Sequence, residues 1–85
     1  MNIYRISQNV NTDWDTYDSA IVVARNEKEA QQMSPIDYDD EVFFNFDPGG
    51  GIWAYKLEDI KVELIGKADK KFKEPTLVLS SFNAG

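Results

Sequence analysis

The longest uninterrupted apolar run in the chain is Ala20-Ile21-Val22-Val23-Ala24, and it constrains the fold more than any other feature. Successive side chains of a strand point to opposite faces, so a strand that is apolar at every position needs cover on both sides. The run is therefore expected as the central strand of a sheet, over 18–25. Asn26 follows almost at once, with Glu29 three residues on. This spacing predicts a helix capped by the Asn26 side chain, with the Glu29 carboxylate reaching back to the cap N–H. Glu27 and Glu29 in the first turn suit the helix dipole, Ala30 and Met33 are spaced to face a sheet, and Pro35 is expected to end a helix of about two turns.

The remaining elements fall around this strand-to-helix unit. Residues 2–7 are short and rich in strand formers, and a polar loop follows over 8–16. Val42-Phe43-Phe44-Asn45-Phe46 and Ile52-Trp53-Ala54-Tyr55 flank Asp47-Pro48-Gly49-Gly50-Gly51 and are expected to form a hairpin, with Phe44, Phe46 and Trp53 in the core. Leu57-Glu58-Asp59 is expected as a turn. Ile60-Lys61-Val62-Glu63-Leu64 alternates apolar and charged residues, so one face should be core and the other solvent. A lysine-rich connection over 67–75 leads to a last strand at 76–82 and a loose tail. The expected fold is α+β, a mainly antiparallel sheet of four to six strands with one short α-helix packed on one face, spanning 1–85 as a single domain.

The functional reading begins with what the chain lacks. Its 85 residues include no histidine and no cysteine. The usual proton carrier near neutral pH, the commonest transition-metal ligand and the strongest nucleophile are therefore all missing. Carboxylate pairs such as Asp39 and Glu41 would need a deep cleft to serve as acid and base, and a chain this short has little room for one. No catalytic role, cofactor or metal is expected. In the acidic segment Asp37-Tyr38-Asp39-Asp40-Glu41, a calcium loop begun at Asp37 would meet Val42 where glycine is required and Pro48 in place of the bidentate glutamate. One begun at Asp13 would have Tyr17 as its third ligand. Gly49-Gly50-Gly51 leads into Ile52-Trp53 rather than into a helix, unlike a phosphate-binding loop. No signal peptide and no apolar run of membrane-spanning length is expected, which together with the missing cysteines points to the cytoplasm.

Charge distribution is more informative than its total. The net charge is −6, but residues 13–47 hold ten acids against Arg25 and Lys28, a local balance of −8. Such a surface repels nucleic acid and anionic membranes and steers a basic partner. Aromatic residues lie close by in sequence. The expected partner-binding set is Asp37, Tyr38, Asp39, Asp40, Glu41, Asp47, Trp14 and Tyr17, with rings as anchors and acids as orienting groups. The expected partner is a protein with a basic surface, bound by a monomer or homodimer. Two alternatives stand beside this reading: a small structural protein that self-associates through strand edges or aromatics, and a sequestering protein that takes a metal ion or small molecule.

The segments Tyr4-Arg5-Ile6-Ser7-Gln8, Asp15-Thr16-Tyr17-Asp18-Ser19-Ala20, Asn26-Glu27-Lys28-Glu29-Ala30 with Pro35, Trp53-Ala54, Ile60-Lys61-Val62, Ile65-Gly66-Lys67-Ala68 and Ser81-Phe82-Asn83-Ala84-Gly85 together resemble small bacteriophage and prophage proteins of no assigned activity. The resemblance spans most of the chain but not 37–51. It implies an α+β build and a phage setting in the host-cell cytoplasm. In that setting, an acidic chain without catalytic groups is expected to act by occupancy, as an anti-CRISPR-like inhibitor does. Its carboxylates would stand in for phosphates on a nucleic-acid-processing complex.

Overall fold

The computed structural model describes residues 1–12, 15–35, 37–38, 41–42, 53–54 and 56–83, with the backbone alone at 37–38, 41–42 and 83. Two central strands organise them. Strand β1 (Asn2–Ser7) pairs antiparallel with β2 (Thr16–Ala24), placing Tyr4 opposite Val22 and Ile6 opposite Ala20. Strand β5 (Lys61–Lys67) flanks β1, and β6 (Thr76–Asn83) flanks β2, both antiparallel, giving the order β5-β1-β2-β6. Between β2 and β5 lie helix α1 (Glu27–Gln31), the two-residue strands β3 (Asp37–Tyr38) and β4 (Glu41–Val42), which pair with each other, and a 3₁₀ turn at Leu57–Asp59. The described residues thus form an α+β arrangement of a four-strand antiparallel sheet, a separate short ladder and one short helix.

The apolar run of β2 occupies the inner position that its composition demands. Ala20, Val22 and Ala24 share a cluster with Tyr4 and Ile6 of β1, Ala30 of α1, Met33, Trp53, Ala54 and Ile60. On the other face Val23 is also fully buried, and Ile21 is half-buried. Burying a large aliphatic side chain stabilises by about 1.5–3 kcal/mol, so Ile6, Val22 and Met33 dominate this small core. Thr16, expected in the loop, and Tyr17, between the expected loop and strand, instead begin β2 beside Asn83 and Phe82. Their β-branched and aromatic side chains suit a strand once a partner is present.

The helix begins as expected and ends sooner. Asn26 Oδ1 accepts from Glu29 N at 2.8 Å, while Glu29 Oε1 reaches past the cap to Arg25 N at 3.0 Å. The expected bond to the Asn26 N–H is thus replaced by one a residue earlier, and Arg25 Nη1 adds an ion pair to Glu29 at 3.2 Å. The helix stops at Gln31, four residues before Pro35, which has no N–H to donate to the Gln31 carbonyl and whose ring would clash with it in a continued helix. Gln31 Nε2 then donates to Leu57 O at 2.8 Å, tying the helix end to the 3₁₀ turn.

Two further expectations differ. Residues 43–52 and 55, with Phe44 and Phe46, fall outside the described residues, but Val42 pairs with Asp37, and Trp53-Ala54 is not strand. Trp53 is nonetheless buried, as the core reading expects. Ile60, just before β5, and Val62 within it turn toward the core, but Leu64 is exposed. Leu64 stands opposite the buried Tyr4 and is still 61% exposed, so alternation alone overstates the burial.

The connection 68–75 crosses the sheet from one edge to the other. β5 ends at Lys67 beside Asn2, and β6 starts at Thr76 beside Val23. Spanning three strand gaps takes about 14 Å, well within reach of eight residues. Asp69 shapes the bend, since its Oδ1 accepts from Lys71 N at 2.9 Å and its carbonyl from Phe72 N at 3.1 Å.

Candidate interaction surface

Strand β6 pairs with β2 on one side and, among the described residues, carries no strand on the other. Its sequence, Thr-Leu-Val-Leu-Ser-Ser-Phe-Asn, contains no charge and no proline. Leu77 packs against the core, while Val78, Leu79 and Phe82 are exposed at 51%, 67% and 47%. The pairing slips between Ile21 and Val22, where Leu77 and Leu79 face successive residues of β2 and Val78 is the extra residue. Near the strand's end the Phe82 ring lies 4.8 Å from the Tyr17 ring, inclined by 44°. A tilted aromatic pair of this kind adds about 0.5–1.5 kcal/mol beyond its burial. An uncharged edge with projecting apolar side chains is a template for another strand.

The opposite edge is built differently. Strand β5 carries Lys61, Glu63 and Lys67, and Glu63 Oε1 lies 3.7 Å from Arg5 Nη1 and 3.5 Å from Lys61 Nζ. A bulge at Ile65 breaks its pairing with β1. Leu64 and Ile65 are exposed there, flanked by Glu63 and Lys67.

At the end of the sheet where β1 turns into β2, one side chain organises the loop. Gln8 is buried, and its Nε2 donates to Asn11 O and Tyr17 O, both at 2.8 Å. Its Oε1 accepts from Val10 N at 3.0 Å and Asn11 N at 2.8 Å. Asn11 Nδ2 in turn donates to Trp53 O at 3.1 Å, while the Trp53 indole N–H is buried without a partner among the described residues. Asp15 closes the loop at φ 62°, a left-handed conformation that Asp tolerates better than most side chains. Nearby lies a groove of about 390 Å³ whose lining includes Arg5, Ser7, Lys61, Glu63, Asp18 and Asp59. Its cations already face Glu63, so the groove holds an internal ion-pair network between exposed groups. Among the described residues no three His, Cys, Asp or Glu side chains come together as a metal site.

The sequence-predicted binding set is only partly within view. Asp37 and Tyr38 form β3 and Glu41 begins β4, with Tyr38 opposite Glu41 across the ladder. Trp14, Asp39, Asp40 and Asp47 lie outside the described residues. Tyr17 is half-buried, since its ring packs on Phe82 and the core. Sequence reasoning assigned no binding role to Val78, Leu79 and Phe82. The available signal was the absence of any charge from Thr76 to Asn83, which no other strand of the main sheet shares.

Protein-family models, curated proteins and solved structures yield no match to this chain. No helix among the described residues is long and apolar enough to cross a membrane.

Proposed function

We propose that this chain is a non-catalytic protein-binding module whose contact surface is the β6 edge. The observation that carries the reading is an eight-residue, charge-free edge strand with Val78, Leu79 and Phe82 projecting into solvent. Backbone groups along such an edge supply affinity by strand addition, and the apolar side chains supply the buried centre that protein interfaces require. Lysine in the middle of the strand defeats both contributions. Leu79→Lys is therefore expected to abolish capture of a protein partner from bacterial lysate while leaving the circular dichroism spectrum unchanged. Capture that survives this substitution contradicts the reading.

A second reading is favoured by the concentration of ten acids within 13–47 and by Asp37 and Glu41 standing in one ladder. Here the acidic segment occupies a basic nucleic-acid-binding surface, as expected of a phage-encoded, anti-CRISPR-like inhibitor in the host cytoplasm. Binding of this kind weakens with salt. Replacing Asp37, Asp39 and Asp40 with Asn and Glu41 with Gln is expected to remove it. Leu79→Lys is expected to leave it intact, so the two variants separate the readings.

A further inference from the structure

We propose that the partner of the β6 edge is a second copy of this chain, paired antiparallel through β6 about a two-fold axis; this inference rests on the reading of β6 as the contact surface. In such pairing the strand meets itself reversed, so any charge on it would approach its own copy across the axis. Arg5 in β1, Asp18 in β2 and the charges of β5 would make those strands poor candidates, whereas β6 carries none.

The ends of the strand supply the complementarity. The connection leading into Thr76 holds exposed Lys70, Lys71 and Lys73 against Asp69 and Glu74. The other end of β6 lies beside the start of β2, where Asp15 and Asp18 are exposed. Reversal about the two-fold axis sets the lysine-bearing end of each copy against the acid-bearing end of the other, twice per dimer. Two chains of net charge −6 thereby approach through a neutral strip flanked by attractive pairs.

The contact area sets the strength. Eight residues at about 3.4 Å each and a sheet about 10 Å thick give a strip of about 270 Å² per copy. The total, about 540 Å², is well short of the roughly 1,200–2,000 Å² of stable complexes, so the dimer is weak and concentration-dependent.

Sedimentation equilibrium from about 10 μM to about 1 mM spans the association range of so small an interface. The expected result is a rise from monomer to dimer mass that Leu79→Lys shifts by more than about tenfold in concentration. Lys73→Glu is expected to weaken the dimer, and adding Asp18→Lys to restore it. The chain has no cysteine, so single-cysteine variants report only intermolecular contacts. Under mild oxidation, Cys at Val78, Leu79, Ser80 or Ser81 should crosslink at the position nearest the axis, where antiparallel Cα spacing matches disulfide geometry, while Cys at Ile65 in β5 should not. A monomeric mass up to about 1 mM, or a dimer that crosslinks through Ile65 and ignores Leu79→Lys, overturns the proposal. If the wild type is monomeric but captures a foreign protein that Leu79→Lys loses, the dimer fails and β6 stands as a binding edge; if that capture is also absent, both fail.

Discussion

Strands β5 and β6 are near equals in length, seven residues and eight, and each hangs from one of the two central strands. They differ in what they present outward. β5 alternates lysine and glutamate with its apolar residues, engages Arg5 and Lys61 through Glu63, and is bulged at Ile65. Charges on an edge strand are a device by which sheets discourage pairing there. β6 is bulged as well, at Val78, and its pairing slips a second time between Tyr17 and Ser19 of β2, but it has neither charge nor proline, and its side chains outside the core are apolar or small and polar. The contrast teaches that stability does not require an edge to be bare. β5 shows that this chain accommodates charge on an edge strand, so the fold alone does not account for the bare edge of β6, and the proposed contact would.

The comparison presupposes a common centre, and the largest expected effect tests that. Gln8→Ala removes four hydrogen bonds that close the β1–β2 loop, two of them to backbone N–H groups. It should cost about 2–3 kcal/mol in urea denaturation, with amides of both edges losing protection together. Loss at one edge alone would show that the edges are independently supported. Next in size is a matched pair: Leu77 of β6 opposes Val22 and packs on the core, whereas Leu64 of β5 opposes Tyr4 yet is 61% exposed. Leu77→Ala should cost about 1.5–2.5 kcal/mol and Leu64→Ala less than about 1 kcal/mol. Equal costs would erase the distinction in packing.

Smaller effects probe the charges. Leu79→Lys should change the folding stability of the monomer by less than about 0.5 kcal/mol, because the side chain already stands in solvent. Glu63→Gln breaks both ion pairs of β5 and should cost no more than about 0.5 kcal/mol, an amount that salt diminishes, since all three partners are well exposed. A larger cost would mean that the charges of β5 hold the fold together and do not merely guard its edge.

Much of the fold is visible in local sequence because local chemistry decides it. The run Ala20–Ala24 has no stable place except inside a sheet, and Asn26 can cap only the turn that follows it. Ala30 and Met33 are buried as their spacing requires. Strand order is not local: nothing in Ile60–Leu64 says that β5 joins β1 rather than β2, because long-range pairing settles which strand lies at an edge. The candidate surface was legible in the opposite sense. Acids between 37 and 47 announce themselves by charge, whereas Thr76–Asn83 reads equally well as an inner strand, and only its place at the edge turns missing charge into a contact surface.

The most direct test of the central claim is amide hydrogen exchange of the wild type at about 20 μM and about 1 mM, compared strand by strand, since outward N–H groups of an edge gain protection only when another strand covers them. Concentration-dependent slowing in β6 with β5 unchanged is the predicted result; slowing in β5, or no change in either edge, would contradict the account.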